Sequence, residues 1–124
     1  MSQRPQLAQT QISSTALDKM KGFHADTIAE VEKAIAAHDV VVVGMAQNPF
    51  VKKARKALEE ANIPFHYLEY GSYLSEWKPR LAIKMWSGWP TFPQVFVKGE
   101  LLGGEELTKA AIASGELKAR LEKS

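Results

Sequence analysis

Apolar positions in this chain recur with three distinct spacings, and each spacing predicts an element. Ile28, Val31 and Ile35 fall at i, i+3 and i+7 and share one helical face, with Asp26, Glu30, Glu32 and Lys33 off that stripe. They predict a helix over about residues 24–37. Val40 to Val43 form an unbroken β-branched run, the mark of a strand buried on both faces of a parallel or mixed sheet. After the loop Ala46-Gln47, Asn48 followed by Pro49 reads as an N-cap and first helical turn. Val51, Ala54, Leu58 and Ala61 then make an apolar stripe opposite Lys52, Lys53, Arg55, Lys56, Glu59 and Glu60. Asn62 and Pro64 end that helix.

Phe65 to Tyr70 is aromatic-rich and strand-like, and Gly71-Ser72 turns the chain. A shorter helix is predicted within 75–86, with Pro79 tolerable only near its first turn. Gln94 to Val97 reads as a strand, Lys98-Gly99-Glu100 as a hairpin turn, and Leu101-Leu102 as the antiparallel return. Gly103-Gly104 break that strand, and helices follow over about 106–113 and 116–123. The first two strands enclose a helix, so they form a parallel, right-handed βαβ unit; the last two form a hairpin. A four-stranded mixed sheet flanked by helices follows, an α/β architecture with one additional helix at the N-terminal side. Residues 1–15, rich in Gln, Ser and Thr, read as a flexible tail, and residues 16–124 as a single domain.

Composition narrows the chemistry. The 124 residues suffice for one domain with its own core. No apolar run approaches the ~20 residues of a membrane-spanning helix, and the first eleven residues lack a secretory apolar core, so a cytoplasmic protein is expected. The net charge of +2 does not argue for nucleic acid, so neither nucleic acid nor membrane is an expected partner. The most restrictive number is zero, the cysteine count. It excludes disulfides, thiolate metal sites, iron–sulfur ligation by this chain's own sulfur and any cysteine nucleophile.

Few motifs offer an alternative chemistry. The chain has no phosphate-cradling P-loop, no H-E-x-x-H and no G-x-S-x-G elbow. His24, His38 and His66 are far apart in sequence, so no metal site is expected. Glu59-Glu60 and Glu105-Glu106 are neighbours on helices and point apart, which does not suit an acid/base pair. Two stretches stand out. In Trp89-Pro90-Thr91-Phe92-Pro93-Gln94, two prolines and two aromatics preset the backbone ahead of a strand, and Pro93 is a candidate for a cis bond or a plain structural turn. In Lys98 to Glu106, the glycine pair between strand and helix either lets backbone approach a ligand or only serves a turn.

The segment WPTFPQVFVKGELLGG, Trp89 to Gly104, resembles the W-P-T-F/Y-P-Q-L/V-F/Y-I/V-K-G-E-L-I/V-G-G segment of monothiol glutaredoxins. The resemblance covers about residues 24–113 and implies a thioredoxin-like three-layer sandwich. Aligned with the branch pattern G-T-P-x-x-P-x-C-G-F-S, Gly44 and Pro49 match, Val51 takes the nucleophile position and Ala54 that of the final serine. Valine has no proton to lose and no lone pair to donate, so disulfide exchange by the family route is closed. An iron–sulfur cluster held by one protein thiolate is likewise not expected. Packing at the helix start is the alternative role for Val51.

The resemblance further implies a glutathione groove. Arg80 and Lys84, at i and i+4, stand where the family meets the glycine carboxylate. Phe92, before Pro93, stands where it pairs with the ligand's cysteine backbone. Gly104, Glu105 and Glu106 stand at the γ-glutamyl end. The family lysine at the end of the first strand is Val43 here, a loss of one carboxylate partner worth roughly tenfold in affinity. Tyr70, Tyr73 and Trp77 mark either a partner contact or packing beneath the third helix. The expected function is a non-catalytic glutathione- or peptide-binding module. The alternatives are a thiol–disulfide oxidoreductase whose native cysteine has been replaced, and a scaffold protein using Lys52, Lys53, Arg55 and Lys56.

Overall fold

A computed structural model of the chain describes residues 13–72, 75 and 77–122. Ten elements follow one another: α1 (Ser14–Gly22), α2 (Ala25–Ala37), β1 (Val40–Gly44), α3 (Pro49–Glu60), β2 (His66–Glu69), α4 (Trp77–Ser87), β3 (Gln94–Val97), β4 (Glu100–Gly103), α5 (Glu105–Ser114) and α6 (Glu116–Glu122).

The four strands form one sheet in the order β2-β1-β3-β4. β1 pairs parallel to β2, with Val41 opposite His66, and antiparallel to β3, with Val41 opposite Phe96. β3 and β4 close the expected antiparallel hairpin, with a register shift between Val95 and Phe96. The valine run occupies an interior strand, and all five residues of β1 are buried. Its side chains alternate between two layers, as the two-residue period of a strand requires. Val41 and Val43 pack with Val31, Ala34, Ile83 and Phe96, beneath α2 and α4. Val40 and Val42 pack with Leu58, Val95, Val97, Ala111 and Leu117, beneath α3, α5 and α6. Each such side chain contributes about 1.5–3 kcal/mol by leaving water, so this strand anchors both cores.

The expected three-layer architecture holds. One helix differs from expectation. α1 begins at Ser14, where Ser13 Oγ accepts from Ala16 N at 3.1 Å and caps the first turn. The expected tail thus gives up Ser14 and Thr15 to a helix, and residues 1–12 lie outside the described residues. No described helix is long and apolar enough to cross a membrane.

Candidate functional site

The C-terminal end of β1 leads through Met45 to Gln47 into α3. Asn48 caps that helix: its Oδ1 accepts from the backbone N of Phe50 at 2.9 Å and of Val51 at 3.2 Å. Pro49 has no N–H, and Lys52 N donates to the Asn48 carbonyl at 3.2 Å. The N–H groups of Phe50, Val51 and Lys52 are therefore satisfied within the chain.

That geometry moves the position that matters. A thiolate is stabilised where first-turn amides converge, at the helix start. The residue standing there is Asn48, not Val51. Val51 lies in the helix, only 1% exposed, packed with Met45, Ile83 and Phe92. It is held so closely that a Cβ on Gly44 would fall 2.6 Å from its Cγ1. Asn48 and Val51 carry the three-residue spacing of a Cys-x-x-Cys pair at a helix N-terminus, with a carboxamide and an isopropyl group in place of the two sulfurs.

Beside this helix start lies a cleft of about 470 Å³, lined by Phe50, Trp89, Thr91, Phe92, Pro93 and residues 104–107. The Phe92–Pro93 peptide bond is cis. Among the described residues, the backbone groups of Thr91 and Phe92 make no backbone hydrogen bond, so this segment is an open pairing edge. Gly104 starts α5 with no side-chain cap, and the first-turn amides of Glu105, Glu106 and Leu107 likewise have no backbone partner. Unlike α3, α5 opens its positive end to the cleft. Thr108 Oγ1 donates to the Gly104 carbonyl at 2.8 Å and fixes this corner. Gly104 stands close to the cis-proline: a Cβ there would reach the Pro93 carbonyl and Trp89 Nε1 at 3.5 Å, ordinary van der Waals contact. Trp89 Nε1 is itself buried without a hydrogen-bond partner, a free donor beside the cleft. The indole shows no signal for this in the sequence beyond its place in the Trp-Pro-Thr run.

Of the residues singled out from the sequence, Phe92, Pro93, Gly104, Glu105 and Glu106 come together here. Lys84 is adjacent, with Nζ 5.6 Å from the Phe92 ring centroid. Arg80 does not line the cleft. It is buried, and its Nη1 donates to the carbonyls of Tyr70 at 3.0 Å and Ser75 at 2.6 Å. The i, i+4 pair is split because α4 turns Arg80 inward to the carbonyls of Tyr70 and Ser75. Glu105 pairs with Lys109 at 3.5 Å, while Glu106 is exposed.

The basic helix face is also narrower than its four cations imply. Lys52, Lys53 and Lys56 are exposed, but Arg55 lies over the Tyr67 ring at 3.9 Å. Tyr67 donates to Glu69 at 3.0 Å; burial first, then that carboxylate, pushes its phenol up to about 12. Tyr70 donates to Glu30, and burial followed by this bond raises its phenol further still. Of the three aromatics singled out between residues 70 and 77, Tyr70 is thus tied down, Trp77 is exposed, and Tyr73 lies outside the described residues. Among the described residues no cluster of three or more His, Asp and Glu could hold a metal ion.

Comparison with known proteins bears on the family and the fold. Residues 40–102 match the family described as Glutaredoxin. The chain is 51% identical over 104 residues to a "Glutaredoxin-like protein" of Dictyostelium discoideum, covering 84% of this chain and 85% of that one. It is 33% identical over 105 residues to an "Uncharacterized monothiol glutaredoxin ycf64-like" of Synechocystis, covering 81% and 95%. The fold superposes with a TM-score of 0.68 on a buckwheat glutaredoxin solved as a glutathione complex, over 84% of this chain and 91% of that one. At 18% identity, this last likeness speaks for the fold alone.

Proposed function

The chain belongs to the glutaredoxin family, and from that premise we propose that it is a non-catalytic member that binds glutathione, or an extended peptide resembling it, without exchanging disulfides. The observation that carries the reading is a binding edge kept beside a helix start whose sulfur is gone. Thr91 and Phe92 offer unpaired backbone ahead of the cis-proline, and α5 offers free amides. A tripeptide laid along this edge pairs with it as an added strand would. Its carboxylate at the α5 end meets the open amides, its amino group meets Glu106, and its far carboxylate reaches Lys84.

The residues present suit glutathione and do not suit an iron–sulfur cluster. The chain offers no thiolate, and no histidine lines the cleft. With Asn48 satisfying the α3 amides by itself, the site holds a ligand beside a group that neither attacks nor leaves. The reading takes the cytoplasm as the place of work, which fractionation of the tagged chain tests.

Calorimetric titration with reduced glutathione tests the function. Saturable heat with a fold-dependent rise in melting temperature is expected, and Lys84→Ala weakens binding about tenfold if its charge-assisted contact is lost. No heat and no shift in melting temperature at millimolar glutathione defeats the glutathione part. Turnover of a glutathionylated substrate by the unmodified chain defeats the non-catalytic part.

A further inference from the structure

A second cavity lies at the other end of the sheet, where β1 begins and β3 ends. It measures about 770 Å³. Its apolar floor is Ile35, Trp86, Phe96 and Leu101. Trp86 and Phe96 lie with ring centroids 5.8 Å apart, and Trp86 is 40% exposed. The open part of Trp86 provides a flat face for a ligand.

The electrostatics of this cavity favour a cation. Glu32 and Asp39 line it, against one cation, Lys98. α2 ends here at Ala37 with no basic residue in its last turn, so the negative end of its dipole is not offset by its own side chains. α4 ends here too, at Ser87, but with Lys84 in its last turn, so only the α2 terminus is left without a basic residue of its own. An aromatic floor below two carboxylates and the C-terminus of α2 attracts a positive group carried on a flat apolar body. The volume falls in the range of small-molecule sites.

We propose that this cavity is a second ligand site, separate from the cis-proline cleft, for a small aromatic amine in its protonated form. The ring lies against Trp86 and Phe96, and the ammonium faces Glu32, Asp39 and the end of α2. This site does not depend on the glutathione reading, because no residue lines both cavities.

Amide chemical-shift titrations of the full chain with tryptamine, indole and indole-3-acetate test the proposal. These probes share a ring and differ in charge. Tryptamine is expected to shift Ala36, Ala37, Asp39, Ser87 and Gly99, leaving Thr91 and Glu106 unmoved. Glu32→Gln and Asp39→Asn are each expected to weaken tryptamine by about twofold to fivefold, the size of a solvent-exposed charge contact, and to leave indole unchanged. Trp86→Ala is expected to remove binding of all three. Glu32 and Asp39 are exposed, so these two variants keep the test open if Trp86→Ala fails to fold. Equal shifts from amine and acid, shifts centred on the cis-proline cleft, or no shifts at millimolar tryptamine would each overturn the proposal.

Discussion

Asn48→Cys and Val51→Cys, made separately, ask which residue holds the vacated sulfur position. At residue 48 the new thiol meets the first-turn amides of Phe50 and Val51, now released from the carboxamide. A thiol so placed falls from an ordinary pKa of about 8.5 into the range of about 3.5–7.5. At a pKa of about 6.5 it would be roughly three-quarters thiolate at pH 7, against about 3% for a free thiol. Lower basicity costs reactivity, with a Brønsted slope of about 0.5, so the net gain is about threefold. At residue 51 the thiol sits inside the core, where burial raises its pKa and reaction waits on local opening. An opening that costs about 3 kcal/mol slows reaction by a factor of about 150. Alkylation rates across pH, with an unfolded control, measure both. Asn48→Cys is expected to react at least a hundredfold faster than Val51→Cys, with a midpoint below that of the unfolded thiol. Losing the cap should cost about 1 kcal/mol, about 4 °C in melting temperature for a chain of this size. Faster alkylation of Val51→Cys, or an unshifted midpoint in Asn48→Cys, would refute the assignment of the nucleophile place to Asn48.

Other outcomes follow from the same geometry. Gly44→Ala places a Cβ 2.6 Å from Val51 Cγ1, so denaturant unfolding should show a loss of about 1–3 kcal/mol, partly restored by adding Val51→Ala. Arg80→Met, which leaves the carbonyls of Tyr70 and Ser75 without their donor, should lower stability by about 2–3 kcal/mol while moving glutathione affinity far less than Lys84→Ala. The phenols of Tyr67 and Tyr70 titrate above their unfolded value of about 10, so the fold holds these protons more tightly than the unfolded chain does. Their contribution is present below about pH 10 and is lost as pH rises through their folded values, about 12 for Tyr67. Ultraviolet difference absorbance of phenolate, read alongside circular dichroism, should therefore show late ionisation coupled to alkaline unfolding; Tyr67→Phe removes its part of that step.

Much of this fold is written in short-range pattern. Four β-branched residues in a row admit little besides a doubly buried strand, and Asn-Pro before a cationic amphipathic stretch names the start of α3. Most of the cis-proline cleft is legible because, Phe50 aside, its lining comes from two short stretches, 89–93 and 104–107, so sequence neighbours are also site neighbours. What was not legible depended on rotation and register. Equal spacing told that Arg80 and Lys84 share a helix side, but only hydrogen bonds to the carbonyls of Tyr70 and Ser75 turn Arg80 inward. Matching letters around Gly44 and Pro49 put Val51 at the nucleophile place, although the cap at Asn48 already put residue 51 inside the helix. Local capping chemistry was the better guide there, because amides converge at a helix end and not one turn within it. α1 was missed because Gln, Ser and Thr dominate the residues before it and hide a short Ser-capped helix.

The two outermost strands, β2 and β4, are four residues each, and neither leaves an inviting border for a neighbouring molecule to stitch onto. Glu69 ends one, and Glu100 opens the other, where Arg120 of α6 reaches across to it at 2.8 Å. A sheet whose centre is almost pure valine would template fibrils if that centre were at a border. Enclosing the valines and setting charge at the margins keeps the most apolar strand away from either border of the sheet.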